Sequence, residues 1–173
     1  MRISASLAAA ALVLHVSAAS SQQRGDWYTG LTDQRLPFTF TENDSQNVFG
    51  KWCEGEHCFW LVASPTRCDL GTQTPALLSS TSGAEHVTLT CAGPVTLSGK
   101  TYYRYKLHNP DFIDSIVEKE GGRLGVAFPL EGDQFRVMRF SLRGSSESLR
   151  IHKEMMGEWR RNGDVRSTRD TTL

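Results

Sequence analysis

The chain has 173 residues, and its 19 basic and 19 acidic side chains give a formal net charge of +0. This balance leaves no excess charge to attract nucleic acid or an anionic membrane over a distance, so we expect neither as a partner. The length is that of one domain large enough to bury a hydrophobic core.

The first segment, residues 1–19, has the pattern of a secretory signal peptide. Arg2 precedes a short run of Ala, Leu and Val, and small residues at positions 17–19 suit cleavage. The apolar run is well below the roughly 20 residues that cross a bilayer. We therefore expect cleavage, no membrane insertion afterwards, and a periplasmic or extracellular protein.

Residues 20–47 are predicted to be a polar lead segment with aromatic islands. Trp27 and Tyr28 form one island, and Phe38 and Phe40 form another in an alternating stretch that suits a short strand. Pro37 limits this strand to a sheet edge or a strand start. The aromatic side chains either form an exposed binding strip or dock on the core, and we favour docking.

Residues 48–161 are predicted to form a single β-rich domain. Two β-prone runs, 48–53 and 58–64, are joined by Glu-Gly-Glu-His, a spacing typical of a hairpin. Residues 86–91 and 100–107 alternate as strands, and Gly93-Pro94 is predicted to form a turn between them.

The later part of the domain predicts two helices and a further hairpin. Residues 111–122 suit a short helix that has Asp111 or Asn109 as N-cap. Residues 123–130 and 134–142 suit two strands with a turn at 131–133, and a last helix is expected over 147–161, before a flexible polar tail at 162–173.

The strand over 134–142 has an irregular apolar pattern. Phe135 and Val137 lie on one face, whereas Met138, Phe140 and Leu142 lie on the other. This predicts either a bulge or a strand covered on both faces. Together the elements predict a mainly β fold, an antiparallel sheet or sandwich of six to eight strands with the short helix and the C-terminal helix packed on it.

Four cysteines in a secreted chain predict two disulfides, with three possible pairings. We favour Cys53–Cys58 at the neck of the first hairpin and Cys68–Cys91 from the following loop to a strand. The alternative is a metal site made of Cys53, Cys58 and His57, but no second close pair completes a tetrahedron. We therefore expect a disulfide-stabilised fold with no metal and no cofactor.

The sequence contains no G-x-S-x-G or S-x-x-K motif that would place a catalytic nucleophile. The histidines that follow the signal peptide are scattered, and we expect all four at the surface: His57, His86, His108 and His152. We assign no catalytic residue and expect a protein without enzymatic activity. A hydrolase site assembled from distant residues stays open as an alternative.

The loop between Cys53 and Cys58 is the candidate binding loop, and with its flanking tryptophans it comprises Trp52, Glu54, Glu56, His57 and Trp60. A small loop held by a disulfide and rimmed by aromatic rings is already ordered for recognition. Packing of the rings on the disulfide in the core explains the same residues, and we favour that packing.

The C-terminal third contains in order FIDSIVEKEGG, RLGVAFPL, QFRVMRFSL and Ser141-Leu142-Arg143-Gly144, followed by SSESL. From Asp111 onward this order resembles the invasion-associated locus B family of bacterial periplasmic proteins, over about 40 residues. The family often has an aromatic residue where this chain has Ser145, and the C-x4-C hairpin in the front half departs from its pattern. The resemblance implies a secreted β-rich domain without known catalytic residues, linked to host interaction or envelope function.

These observations predict a secreted or periplasmic non-enzymatic protein that binds a protein or a cell-envelope component. One alternative is an inhibitor or immunity-type protein that inserts the Cys53–Cys58 loop into the cleft of an enzyme. The other alternative is the hydrolase, which would need a concave pocket that combines a histidine with a carboxylate.

Overall fold

The computed structural model describes residues 21–97, 99–119, 121–129 and 134–167, without the side chains of 97 and 162–167. The predicted signal peptide, the turn predicted at 131–133 and residues 168–173 of the predicted tail lie outside the described residues. Within the described part of the chain, no helix is long and apolar enough to span a membrane.

The described residues form one continuous antiparallel sheet and two helices. The strands are β1 (Gln22–Arg24), β2 (Trp27–Leu31), β3 (Pro37–Glu42), β4 (Val48–Glu54), β5 (His57–Ser64), β6 (Gln73–Ser80), β7 (Gly83–Leu97), β8 (Lys100–Leu107), β9 (Arg123–Pro129) and β10 (Phe135–Ser141). Helix α1 (Pro110–Glu118) lies between β8 and β9, and α2 (Ser145–Ser167) follows β10. The strand order is β1-β2-β3-β4-β5-β8-β7-β6-β9-β10, and the predicted mainly β class is confirmed.

The described residues form ten strands where six to eight were predicted. The short strand β1 is exposed along its whole length and pairs with β2 through its backbone, so it has no apolar pattern to detect. A second difference concerns Gly93-Pro94, which lies inside β7 and not at a turn. The register between β7 and β8 shifts between Cys91 and Pro94, and Gly93 has a φ of 79°, so the glycine accommodates a bulge.

The aromatic residue Trp27 anchors the lead segment to the core. Its side chain is fully buried, and its ring meets the rings of Phe49 and Trp60 edge-on at centroid distances of 6.1 and 6.3 Å. Its indole Nε1 donates a hydrogen bond of 2.8 Å to the carbonyl of Ser141. The predicted docking of the lead aromatic residues is thus confirmed at Trp27.

The two ends of the sheet meet at one corner. The N–H of Asp26, between β1 and β2, donates to the carbonyl of Arg143, just after β10, at 3.0 Å. At the same corner, a Cβ at Gly144 would lie 2.0 Å from the carbonyl oxygen of Arg24, so the backbones approach too closely for a side chain. The sheet therefore curls around its core.

The two helices pack on this curled sheet. In α1, Ile113, Ile116 and Val117 are buried, and Asn109 is the N-cap, because its Oδ1 accepts a hydrogen bond of 3.4 Å from the N–H of Phe112. One of the two predicted caps is thus confirmed. Helix α2 begins at Ser145 and continues to Ser167, beyond the predicted end at residue 161.

Candidate functional site

Strand β10 exposes apolar side chains at one end of the sheet. Met138 and Phe140 are buried in the core, whereas Phe135 and Val137 are 71% and 44% exposed. The pairing of β10 with β9 is continuous over the whole of the strand. The predicted bulge or double-sided covering is therefore wrong, since the strand is regular and two apolar residues face solvent.

The backbone of β10 leaves one edge unpaired among the described residues. The N–H of Leu142 donates to the carbonyl of Gly122 at 3.2 Å, in the same register as the β9–β10 pairing. Because antiparallel strands alternate hydrogen-bonded and non-bonded positions, even-numbered residues of β10 bond to β9 and odd-numbered residues face away. Phe135, Val137 and Arg139 thus direct N–H and C=O groups to the free edge.

A polar cleft of about 1000 Å³ lies beside this edge. Carboxylates line it from the β1–β2 and β3–β4 regions, and guanidinium groups line it from β9 and β10: Asp26, Glu42, Asp44, Arg123, Arg136 and Arg139. Hydrogen bonds from Arg143, and then from Ser141, lower the pKa of Asp26 below its ordinary value. The cleft therefore carries charges of both signs.

This cleft does not contain the pair of groups that the hydrolase alternative needs. Its described lining includes carboxylates and serines, but no histidine. His57, His86 and His108 are exposed on other elements, as predicted. The described residues thus do not place a histidine beside a carboxylate in the cleft.

The two disulfides have the predicted pairing, Cys53–Cys58 and Cys68–Cys91. Cys53 and Cys58 are directly opposed across β4 and β5, with their Cα atoms 4.0 Å apart. The turn beyond them contains Gly55, whose φ of 62° suits the first central position of a type II′ hairpin turn.

The candidate binding loop is only partly at the surface. Its polar side chains Glu54, Glu56 and His57 are exposed. Trp60 lies fully buried, stacked on Phe49 at a centroid distance of 4.9 Å, and is therefore not part of a binding rim. Trp52 lies on the opposite face of the sheet, half-buried beside Phe40.

A polar cluster lies beneath the helices on the inner face of β4 and β5. The ammonium of Lys51 contacts both carboxylate oxygens of Asp114, from α1, at 2.7 and 2.8 Å. The indole Nε1 of Trp60 donates to the same carboxylate at 2.8 Å. This carboxylate therefore connects α1 to two neighbouring strands.

The expectation that His152 lies at the surface is wrong, because its side chain is only 2% exposed. Leu149, His152 and Met156 share the inward face of α2, a spacing that indicates burial. Burial, and then the charge of Lys51, lower the pKa of His152 to about 4, so its ring is neutral at neutral pH.

The ring of His152 is directed at the first disulfide. Its Nε2 lies 3.5 Å from the Sγ of Cys53, although 99 residues separate the two in sequence. Its Nδ1 has no hydrogen-bond partner among the described residues, although the backbone of Pro37 acts on the ring to raise its pKa. The spacing of the cysteines gave no indication of this histidine, because the contact depends on how α2 crosses the sheet.

No protein-family model and no curated protein matches the sequence. Among solved structures, the crystal structure of invasion associated protein B from Bartonella henselae is similar, with a TM-score of 0.58. The chain shares the fold of that protein. The likeness covers 80% of this chain and 99% of the Bartonella chain at 12% identity. The resemblance found in the C-terminal third is thus confirmed, and it extends over most of the chain.

At this level of identity the likeness to invasion associated protein B concerns the fold alone. The two disulfides are an independent indication, because such bonds persist in oxidising compartments. The disulfides fit the predicted periplasmic or extracellular location.

Proposed function

We propose that this chain is a secreted or periplasmic, non-enzymatic domain that binds an extended segment of a partner protein along the free edge of β10. The observation that carries the proposal is the unpaired backbone at Phe135, Val137 and Arg139, together with the two exposed apolar side chains. An added strand would form main-chain hydrogen bonds with these residues.

The outer face next to this edge offers contacts for the side chains of a partner. Leu77, Ala127 and Val137 are register neighbours across β6, β9 and β10, and Leu77 and Val137 are exposed. Natural proteins usually protect an exposed apolar edge because it pairs readily with other chains. A strand added beside β10 would extend this apolar row, because every second side chain of the partner would lie next to Phe135 or Val137 on the same face.

The charges of the cleft select among partner strands. The guanidinium groups of Arg136 and Arg139 belong to β10 itself, and the carboxylates lie on the far side of the cleft. A strand that pairs with β10 meets these arginines first, which favours acidic residues in the partner. The fold of invasion associated protein B supports an envelope setting for such an interaction.

Site-specific photocrosslinking in the native cell tests this proposal. The photoreactive side chain is introduced by Phe135→p-benzoylphenylalanine, and we expect a discrete adduct with one partner protein. Adding Val137→Pro should abolish the adduct, because it removes an N–H that faces the partner and not β9. Val137→Thr, which keeps this N–H, is the matched control and should preserve the adduct.

The same experiment has a control at Leu70, an exposed residue that does not line the cleft. Leu70→p-benzoylphenylalanine should give no adduct with that partner. Equal adducts at both positions, or an adduct at position 135 that survives Val137→Pro, would show that strand addition to β10 is not the mode of binding.

The inhibitor or immunity-type alternative is favoured by one observation, the exposure of Glu54, Glu56 and His57 on a turn held by a disulfide. A photoreactive side chain introduced as Glu56→p-benzoylphenylalanine distinguishes the two functions. Adducts with an enzyme at position 56, in the absence of any at position 135, would favour the inhibitor and exclude the β10 edge.

A further inference from the structure

We propose that Cys53, Cys58 and His152 form a three-coordinate site for monovalent copper once the disulfide between the two cysteines is reduced. This inference is independent of the free edge of β10, because its residues belong to β4, β5 and α2. It assigns a role to a buried histidine that the proposed binding function does not use.

The geometry supplies three ligand atoms in one place. The sulfurs of Cys53 and Cys58 and a ring nitrogen of His152 all lie within 4.8 Å of one another. The strand register holds the two cysteines directly opposite each other, so both sulfurs stay together when their bond is broken. The long helix α2 holds the imidazole over them, since Leu149 and Met156 on the same face are buried in the core.

The buried ring of His152 has few hydrogen-bond partners, which leaves it able to bind a metal ion. The side chain is almost completely buried, and its Nδ1 has no hydrogen-bond partner of normal geometry. Its Nε2 faces the disulfide sulfur of Cys53, which carries no hydrogen and accepts hydrogen bonds weakly. In the tautomer with its proton on Nδ1, the Nε2 lone pair faces a sulfur that has no hydrogen to donate. A metal ion bound at Nε2 would give this buried acceptor a partner.

The donor set selects a soft metal with few ligands. Thiolate sulfur prefers monovalent copper or zinc, and imidazole accepts both. Structural zinc takes four ligands in a tetrahedron. Among the described residues, no further His, Cys, Asp or Glu joins this group of three. Monovalent copper binds readily with three ligands, so it fits two thiolates and one imidazole.

The site is opened by an external dithiol that acts as the reductant. A thiolate of the dithiol attacks the sulfur of Cys58, the less buried of the two residues, and the bond between the two cysteines breaks. The second thiol of the reductant then releases Cys58, so the dithiol becomes a disulfide and the protein gains two electrons and two protons. Copper displaces both thiol protons to solvent and takes the neutral imidazole as its third ligand.

The test uses the chain without its predicted signal peptide, reduced with dithiothreitol and desalted under anaerobic conditions. Monovalent copper is titrated in competition with bicinchoninate, and native mass spectrometry counts the bound ions. We expect one copper per chain in the reduced protein and none in the oxidised protein. X-ray absorption should show two sulfur neighbours and one nitrogen neighbour around the copper.

Two histidine variants distinguish the site from simple thiol binding. His152→Gln should weaken binding by at least about tenfold, since even the loss of an outer partner of a metal ligand costs that much. His57→Gln is the matched control, because His57 adjoins Cys58 in sequence but is exposed. Its copper affinity should equal that of the original protein. Circular dichroism checks that each variant is folded.

A pair of further substitutions, Cys68→Ser with Cys91→Ser, removes the other thiols and should leave the bound copper unchanged. Copper with sulfur neighbours alone, equal affinity in His152→Gln, or a loss of binding in His57→Gln would overturn the proposal. The absorption measurement needs only the original chain, so the proposal is decided even where a variant does not fold.

Discussion

In β4, Gly50 pairs with Phe40 of the neighbouring strand at a point of very close approach. A Cβ at this glycine would lie 2.2 Å from the carbonyl oxygen of Thr39 and 2.5 Å from the Cβ of Phe40. Because one of these atoms belongs to the backbone, a rotamer change cannot relieve the contact. The absence of a side chain at this residue therefore determines how closely β3 and β4 pack.

Gly50→Ala is expected to lower the free energy of unfolding by about 2 kcal/mol, the usual cost of overpacking a core position. Urea unfolding followed by tryptophan fluorescence measures the change. The control is Gly157→Ala in α2, where the nearest contact is the flexible side-chain end of Arg161 at 3.5 Å. This control should be neutral or slightly stabilising, because alanine favours helix. Equal losses of unfolding free energy in Gly50→Ala and Gly157→Ala would show that the close approach at Gly50 does not limit the packing of β3 and β4.

At the scale of the elements, α1 is attached to the sheet by both apolar and polar contacts. Ile113, Ile116 and Val117 bury the apolar face of the helix. Asp114, on the same helix, accepts hydrogen bonds from Lys51 of β4 and Trp60 of β5. The side chains of Lys51 and Asp114 are only 11% and 19% exposed, so their interaction is shielded from water more than a surface pair.

Asp114→Ala should destabilise the fold by about 2 to 3 kcal/mol, because it leaves the largely buried ammonium of Lys51 unpaired. Chemical unfolding measures the loss, and the emission of Trp60 should change because its indole N–H loses an acceptor. Asp111→Ala, at an exposed position of the same helix, is the control and should cost less than about 1 kcal/mol.

A second comparison isolates the charge effect. In the double variant Lys51→Met with Asp114→Ala, no charge is left unpaired, so the loss should be smaller than for Asp114→Ala alone. A double variant that is less stable than the single one would show that packing, and not the ion pair, dominates this contact.

For the whole molecule, stability depends on a curled sheet whose ends meet at one corner and on two covalent links of different span. The Cys53–Cys58 bond closes a loop with a sequence separation of 5, whereas Cys68–Cys91 closes one of 23. Both disulfides restrict the conformations of the unfolded chain, and the entropy that a disulfide removes from the unfolded state grows with the length of the loop it closes. The longer link therefore contributes more to the stability of the fold.

Replacing Cys68 and Cys91 with alanine should lower the free energy of unfolding by about 3 kcal/mol, and replacing Cys53 and Cys58 by about 2 kcal/mol. Thermal unfolding of the two double variants, measured in parallel, checks which disulfide contributes more to stability. Each pair has one well-buried cysteine, Cys91 or Cys53, so the two variants are matched in lost packing. A larger loss for the shorter loop would show that the contacts of Cys53 beneath α2 outweigh loop entropy.

The sequence alone determined the features that depend on neighbouring residues. Alternating apolar positions indicated the strands, the small spacing between Cys53 and Cys58 indicated their bond, and Asn109 ahead of a proline indicated the start of α1. These predictions succeed because strand period, hairpin closure and helix capping act over a few residues. The resemblance of the C-terminal third to the invasion-associated locus B family also rested on the order of short segments along the sequence.

Only the tertiary structure decided which surfaces stay open and which distant groups meet. The exposure of Val137, the burial of Trp60 and the contact of His152 with Cys53 all depend on how far the sheet curls and where α2 crosses it. Such contacts join residues far apart in sequence, so no local pattern contains them. The edge of β10 and the cysteine–histidine cluster, which carry both proposals, therefore became visible only in the folded chain.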